Sequence, residues 1–317
     1  MPTRDRIAAE INSQKAAGQD NVRRKYLAAL HKKTGRDTVV YFSSYNIHRP
    51  FPVPAAAVSV TQDDIQGFMA SLHKLKGKSL DLVLHSPGGS IEAADQIVQY
   101  LRAKYEHIRA IIPQNAMSAA TMFACAADEI LMGKHSAIGP IDPQMILGTS
   151  NGGQMSVPAH TILQDFEKAK ADISVNPMLA NLWAPRLAAL PPGYLNLCEQ
   201  VTKLAEEKVE SWLAQYMFQG QDLAKAKSIA QWLANFAEHR THGRPIGIEL
   251  AQSKGLNVKP LEEDQQLQEA VLSVFHATMV TFQSTSCLKV IENHLGKGHY
   301  VVAELAVTPT PAPNAVA

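Results

Sequence analysis

The fold of this chain is decided by Leu82-Val-Leu-His-Ser-Pro-Gly-Gly-Ser90 and by Asn115-Ala-Met-Ser-Ala-Ala-Thr121. Each stretch is an apolar strand that ends in a tight turn and runs straight into a helix. The first turn offers the backbone N–H groups of Gly88 and Gly89, and the second places the hydroxyl of Ser118 at the start of a helix. A nucleophile at a helix N-terminus, close to a glycine turn that can receive an oxyanion, is the minimum equipment for acyl transfer. The two stretches therefore predict a serine hydrolase.

Each of these signals also has a simpler explanation. A serine before an alanine-rich helix often serves as its N-cap, and a Pro-Gly-Gly sequence is often only a turn. A strand, a glycine-rich turn and a helix can also bind a dinucleotide, but the stretch after Ser86 lacks the third glycine of that motif. The context favours a nucleophile, because small neighbours such as Ala119 and Ala120 make the helix thin enough to be buried. A buried helix directs its N-terminal partial positive charge at Ser118.

Strands alternate with helices from about residue 38 to residue 145. Thr38-Val-Val-Tyr-Phe42, Ile108-Arg-Ala-Ile-Ile112 and Glu129-Ile-Leu-Met132 are β-branched or apolar runs that predict strands. Such alternation implies parallel βαβ units, so the sequence predicts an α/β fold class. The predicted organisation is a helical segment over 1–36, a main domain over 37–260 that is largely helical over 158–238, a C-terminal helical segment over 261–306 and a disordered tail over 307–317.

Composition narrows the functional class. The chain has 317 residues, of which 46% are hydrophobic and 19% charged, and its formal net charge is +1. This near neutrality provides no field that would attract nucleic acid or an anionic membrane. Cys125, Cys198 and Cys287 lie far apart without metal-ligand spacing, which argues against a zinc site and against a disulfide framework. The N-terminus lacks the apolar region of a signal peptide, and no apolar run reaches the ~20 residues of a membrane span. We therefore predict a cytoplasmic protein without a membrane span, metal or organic cofactor.

Five motifs occur together in this chain: Ser86-Pro-Gly-Gly89, Ala116-Met-Ser-Ala119, Ala127-Asp-Glu-Ile130, Ala137-Ile-Gly-Pro-Ile-Asp-Pro-Gln144 and Thr241-His-Gly-Arg-Pro-Ile246. Together they resemble the motifs of one family. The resemblance is to the Clp-class serine peptidases and, within them, to the serine dehydrogenase proteinase family, a relative of signal peptide peptidase A. It implies a crotonase-like and Clp-protease-like spiral of βαβ units over 37–260 with an additional helical C-terminal portion. It also implies a serine endopeptidase that acts on protein or peptide substrates and forms homo-oligomers.

The resemblance implies roles for individual residues. Ser118 would be the nucleophile, the N–H groups of Gly88 and Ala119 would form the oxyanion hole, and Gly89 would let a substrate strand approach closely. The base is less well defined, because no histidine stands near Ile141-Asp142, where a Clp-type histidine would fall. The lysine of signal peptide peptidase relatives would fall near Ser156-Val-Pro-Ala-His160, so His160 is the predicted base, although it could also be an ordinary histidine at a helix start. Other candidates are Lys134, His135, Lys168 and Lys170, with Asp142 able to orient a base.

Two other functions remain open at this point. Crotonase-type enzymes use similar oxyanion turns to stabilise enolates of coenzyme A thioesters, and they need no serine nucleophile. A catalytically silent peptide-binding scaffold would also explain the missing Clp-type histidine. In a peptidase, the substrate would lie extended beside the glycine turn and add a strand to an exposed edge.

Overall fold

A seven-stranded sheet organises the computed structural model, which describes residues 3–13, 18–148 and 152–303. Its strand order is β11-β10-β1-β2-β3-β5-β9, and the five strands from β1 to β9 are parallel. Strands β4 and β6 pair with each other, and β7 and β8 form a hairpin. The strands are β1 Asp37–Ser43, β2 Ser79–His85, β3 His107–Ile112, β4 Asn115–Ala116, β5 Glu129–Met132, β6 Ala137–Ile138, β7 Gln144–Gly148, β8 Gln154–Pro158, β9 Val258–Pro260, β10 Cys287–Asn293 and β11 Gly298–Val302.

Helices cover both faces of this sheet. The helices are α1 Arg4–Asn12, α2 Gly18–Thr34, α3 Ala55–Val58, α4 Asp64–Leu72, α5 Ile91–Lys104, α6 Ala119–Cys125, α7 Ala159–Val175, α8 Ala180–Ala188, α9 Tyr194–Trp212, α10 Leu223–Ala234, α11 Phe236–His239, α12 Ile248–Ser253 and α13 Gln265–Ser284. Short 3₁₀ turns lie at Pro177–Leu179 and Leu261–Glu263, and a π-helical turn at Leu213–Met217 continues α9.

The strand sequences explain the two cores. Side chains alternate between the faces of a strand, so a strand that is covered on both sides is apolar throughout. In β1, Val39 and Tyr41 pack with α4, α5 and α6, whereas Val40 and Phe42 pack with α2 and α13. Parallel strands joined by helices are the architecture that the alternating pattern predicts. The α/β fold class is therefore confirmed.

The C-terminal region differs from the expectation. The helical segment predicted over 261–306 ends as a helix at Ser284, and the chain returns as strands β10 and β11. Strand β10 pairs antiparallel with β1, and all seven of its residues are buried. The physical reason is that its charged side chains, Lys289 and Glu292, are paired inside the protein, which allows an apparently amphipathic sequence to form an interior strand. The tail predicted over 307–317 lies outside the described residues.

The other regional predictions meet the structure as follows. Helices α1 and α2 fall within 1–36, helices α7 to α10 fall within the stretch predicted to be largely helical, 158–238, and α11 ends one residue beyond it. The division of the chain into domains stays a prediction. In the described ranges, no helix combines the length and the apolar character that crossing a membrane requires.

Candidate active site

Ser118 occupies a strained turn between β4 and α6. Its backbone has φ 53° and ψ −121°, a conformation that residues with a side chain rarely adopt. Its side chain makes no capping hydrogen bond, so the hydroxyl is not used as the N-cap of α6. The turn is held from within, because Thr121 Oγ1 donates to the Ala116 carbonyl at 2.8 Å and accepts from the Gly139 N–H at 2.9 Å. A strained serine at a strand-to-helix turn is the arrangement that exposes nucleophiles in hydrolases.

The glycine turn lies directly against Ser118. Gly88 and Gly89 have φ values of 94° and 154°. A Cβ atom added to Gly88 would lie 2.6 Å from Ser118 Cβ and 2.7 Å from the Ala119 nitrogen. A β-carbon added to Gly89 would lie 2.3 Å from the Val60 carbonyl oxygen. Glycine is therefore required at both positions for the two turns and the Val60 segment to meet.

Hydrogen bonds distinguish the backbone donors of the two turns. The Gly88 N–H donates to Ser86 Oγ at 3.2 Å. The Gly88 carbonyl accepts from the Val60 N–H at 2.7 Å, and the Ser90 N–H donates to the Val60 carbonyl at 2.9 Å. Among the hydrogen bonds of the described residues, none uses the N–H of Gly89 or of Ala119. These two N–H groups are thus among the backbone donors that remain free to receive a ligand.

A cavity of about 420 Å³ opens between the turns, and its lining includes Ser118, both glycines and His242. His242 Nδ1 lies 2.8 Å from Asp142 Oδ1, and the other carboxylate oxygen accepts from Gln144 Nε2 at 2.7 Å. Asp142 is buried, whereas a quarter of the His242 side chain is exposed. The Asp142 carboxylate is thus anchored on one side and faces a histidine on the other. The apolar part of the lining includes Ile91, Met122, Ile141, Met145, Ile146 and Val201.

The long helical region from α7 to α11 separates Asp142 from His242 in the sequence, and the chain returns to Asp142 after it. Ile246 hydrogen-bonds to Ile138 in both directions, at 2.8 and 3.0 Å. This bridge brings the 241–246 segment back beside the 137–144 segment, after α7 to α11 have been completed. The hydrogen bond between His242 and Asp142 therefore joins residues 100 positions apart in the sequence.

The predicted base, His160, lies at the start of α7, and its ring centroid is 6.2 Å from that of Phe236. Its Nε2 is buried and has no hydrogen-bond partner among the residues that the structure describes. His160 is not among the residues that line the cavity of Ser118. Its catalytic role stays a prediction that the structure does not test.

Three of the four remaining candidates for the base have partners elsewhere. His135 Nε2 lies 2.9 Å from the Pro113 carbonyl. Lys168 pairs with Asp172, and Lys170 pairs with Glu167, along the surface of α7. Lys134 is exposed after β5, where its backbone N–H donates to Glu262. The cavity lining that the described residues provide contains none of these four residues.

His242 is the residue that sequence reasoning passed over. It stands inside Thr241-His-Gly-Arg-Pro-Ile246, a segment that the sequence analysis identified without giving its histidine a role. A usable signal was the histidine inside this segment, because the sequence analysis had already grouped the segment with the motif that contains Asp142. Cys125, by contrast, is fully buried, and burial raises its thiol pKa to about 12, so it does not compete as a nucleophile. No cluster of His, Cys, Asp or Glu in the described parts of the chain has an arrangement that could hold a metal ion.

The family follows from the sequence around this site. The family described as ClpP-like SDH-type serine proteinase matches residues 22–181. The chain belongs to this family. The match confirms the predicted Clp-like fold, and it makes this SDH-type proteinase a serine protease of the Clp class. The matched residues include Ser118, the glycine turn and Asp142, whereas His242 lies beyond them.

Two relatives and two solved structures are similar to this chain over half or more of its length. The uncharacterized protein MJ0137 of Methanocaldococcus jannaschii is 29% identical over 238 residues, which cover 74% of this chain and 73% of that protein. The uncharacterized protein MJ1495 of the same organism is 28% identical over 179 residues, covering 56% and 51%. A mutant of the 1510-N membrane-bound stomatin-specific protease has 17% identity and a TM-score of 0.36, covering 63% of this chain and 74% of that one. Another mutant of that protease, in complex with a substrate peptide, has 16% identity and a TM-score of 0.39, covering 77% and 82%.

Proposed function

We propose that this SDH-type proteinase hydrolyses peptide bonds through an acyl-enzyme on Ser118, with His242 as general base and Asp142 as the carboxylate that orients it. The observation that carries the proposal is the 2.8 Å contact between His242 Nδ1 and Asp142 Oδ1 in the cavity that Ser118 lines. A nucleophile, a histidine and a carboxylate that holds the histidine form the constellation of a serine-protease triad, whatever their order in the chain.

The contact with Asp142 defines the proton on His242. Ionised Asp142 accepts hydrogen bonds, so Nδ1 of the neutral imidazole carries the proton and Nε2 keeps a free lone pair. Nε2 can then take the proton of the Ser118 hydroxyl as Oγ attacks the substrate carbonyl carbon. The hydrogen bond from Gln144 holds Asp142 on the side away from His242. The imidazolium that forms is stabilised by the buried carboxylate.

The oxyanion of the tetrahedral intermediate would accept hydrogen bonds from the N–H groups of Gly89 and Ala119. Both are without an acceptor among the described hydrogen bonds, and Ala119 is the first residue of α6. The N-terminus of a helix adds a partial positive charge, although α6 is short. The donor from the glycine turn in this proposal is Gly89 rather than Gly88, because the Gly88 N–H is directed at Ser86.

The reaction then proceeds in two balanced halves. The tetrahedral intermediate collapses as His242 returns its proton to the leaving amine, and the carbon–nitrogen bond breaks. The Ser118 ester remains. A water molecule gives a proton to His242 and attacks the ester carbonyl, and the carbon–oxygen bond to Ser118 breaks as the hydroxyl recovers its proton.

We also propose that the enzyme acts on peptides and self-associates. The apolar lining of the cavity suits the side chain of a peptide next to the scissile bond. Val175, Met178 and Leu182 are 86%, 71% and 68% exposed where α7 passes into α8, and self-association would cover them. Light scattering of the wild type and of a Met178→Glu, Leu182→Glu variant tests the second point. A monomeric wild type would contradict it.

The test of the site is intact mass spectrometry after reaction with a fluorophosphonate probe. We expect one adduct on the wild type, none on Ser118→Ala, and at least a hundredfold slower labelling of His242→Gln. His160→Gln is the matched control, because it makes the same exchange at a histidine that does not line the cavity. This variant should label as fast as the wild type. Fast labelling of His242→Gln together with slow labelling of His160→Gln would assign the base to His160 instead. Absence of an adduct on folded wild type would contradict the acyl-enzyme itself.

A further inference from the structure

A buried lysine lies on the strand that closes the sheet. Lys289 belongs to β10 and is 1% exposed. Its ammonium contacts both oxygens of Asp64, at 2.8 and 3.0 Å, and donates to the Ser59 carbonyl at 2.6 Å. These three acceptors satisfy its three donors. Because burying an ion pair is costly and often adds little stability, its location raises the question of what it holds in place.

A first set of contacts made by this pair holds the Val60 segment. Lys289 fixes the Ser59 carbonyl, and Asp64 Oδ2 accepts from the Thr61 N–H at 2.9 Å. Val60 lies between these two anchored residues. It binds the glycine turn on both sides of Gly89, through the Gly88 carbonyl at 2.7 Å and the Ser90 N–H at 2.9 Å.

A second set of contacts connects Asp64 to the same glycine turn through Tyr41 and Ser86. The Tyr41 hydroxyl donates to Asp64 Oδ2 at 2.7 Å. Burial and the neighbouring Asp64 raise the pKa of Tyr41 well above its usual value, so the hydroxyl keeps its proton. Ser86 lies beside the Tyr41 hydroxyl and opposes this rise in its pKa, and the Ser86 side-chain oxygen accepts from the Gly88 N–H at 3.2 Å. Both routes from the buried pair therefore end at Gly88 and Gly89.

We infer that Lys289, through its ion pair with Asp64, is a positioning residue that fixes the glycine turn in the geometry required to stabilise the oxyanion. The inference rests on the proposed function, since it assumes that the Gly89 N–H binds the oxyanion. It assigns a catalytic consequence to a residue that touches neither substrate nor nucleophile. A donor displaced by even an ångström loses much of its effect on the transition state.

The matching control lies on the opposite face of the same strand. Glu292 is three residues from Lys289, is fully buried, and pairs with buried Arg23 at 2.6 Å on the side of α2. Removing both charges of this second pair perturbs the same strand without touching the glycine turn. The variants to compare are therefore Lys289→Met with Asp64→Asn, and Arg23→Met with Glu292→Gln.

Three quantities would be measured for each folded variant at a temperature well below its unfolding midpoint: the rate of fluorophosphonate labelling, the affinity for a peptide boronate, and the affinity of the corresponding Ser118→Ala form for an unreactive peptide. For the Lys289 and Asp64 variant we expect labelling and boronate affinity to fall at least tenfold while peptide affinity changes less than threefold. The Arg23 and Glu292 variant should match the wild type in all three.

Several outcomes would overturn the inference. Wild-type labelling and boronate affinity in the Lys289 and Asp64 variant would do so, and so would equal losses in the control pair. If that variant fails to fold, Tyr41→Phe removes only the second set of contacts, which begins with the hydrogen bond from Tyr41 to Asp64. The inference then requires a threefold or larger loss of labelling rate without a loss of peptide affinity. Failure of the proposed function is distinguishable, because the wild type would then form no adduct at Ser118.

Discussion

Replacing Asp142 by Asn removes one negative charge from the site and changes little else in size. In the wild type both carboxylate oxygens accept hydrogen bonds, one from His242 Nδ1 at 2.8 Å and one from Gln144 Nε2 at 2.7 Å. An asparagine supplies one acceptor oxygen and one NH₂ group, so it cannot satisfy both donors in their present orientation. One of the two partners must change.

The surroundings of Gln144 indicate which partner changes. Its Nε2 also lies 3.3 Å from the Asp142 backbone carbonyl, and its Oε1 accepts from the Ser156 hydroxyl at 3.4 Å. Turning this amide would place its oxygen against a carbonyl oxygen. The asparagine oxygen therefore faces Gln144, and its NH₂ faces His242. His242 must then accept at Nδ1 and carry its proton on Nε2, where it can no longer take the proton of Ser118.

The expected loss is large. The same exchange in a trypsin-type triad lowers kcat about 10⁴-fold because it imposes the wrong tautomer. We expect a loss of about 10³- to 10⁴-fold here, or about 4–5 kcal/mol of transition-state stabilisation. The assay is the steady-state hydrolysis of a fluorogenic peptide, with the thermal unfolding midpoint as a control for folding.

A companion variant separates the carboxylate from its anchor. Gln144→Met keeps the charge of Asp142 and its contact with His242, so its kcat should fall no more than about tenfold. If Asp142→Asn retained more than a tenth of the wild-type kcat with an unchanged unfolding midpoint, the proposed role of Asp142 would be refuted.

Two further predictions concern the turn and the pH dependence of stability. Gly88→Ala adds a methyl group 2.6 Å from Ser118 Cβ at a φ of 94°. We therefore expect kcat to fall about 10²- to 10³-fold while the protein remains folded. A wild-type kcat would show that the turn accommodates the methyl group without displacing the oxyanion donors. Burial lowers the pKa of His85 to about 4, against about 6.5 in the unfolded chain, so the stability associated with neutral His85 is complete above pH 6.5 and decreases by about 3 kcal/mol as the pH falls to 4. In urea unfolding, His85→Gln should therefore lose less free energy of unfolding between pH 7 and pH 4 than the wild type, and equal losses would argue against a buried neutral His85.

The parts of the site that sequence reasoning located are those encoded locally. Ser118 follows a two-residue strand and begins a helix, and the glycine turn follows another strand directly, so each signal is complete within about ten residues. The conformational needs of such turns are short-range and can be read from the residue types. The choice between Gly88 and Gly89 as the donor could not be read in this way, because it depends on where the Ser86 hydroxyl points.

The histidine could not be found by the same reasoning. His242 meets Asp142 only after five helices have been packed between them, and no local pattern encodes that return. The position of the lysine in the signal peptide peptidase relatives pointed to His160, which lies at the start of α7, the first helix of that region. The strand β10 was missed for a related reason. Its Lys289 and Glu292 look like residues of a solvated helix until their partners, Asp64 and Arg23, are brought to opposite faces of the sheet.

The position of β10 has a consequence for synthesis on the ribosome. This strand is synthesised long after β1, yet the two strands pair with each other. Ser118, Asp142 and His242 have all been synthesised before Lys289 is added, and contacts between such distant segments form late and slowly. A nascent chain that stops before residue 289 contains the three residues of the proposed triad but lacks the lysine that we infer to hold the glycine turn. On the proposed function, we therefore expect proteolytic activity to appear only after β10 has been synthesised, which would protect the growing chain and the proteins around it.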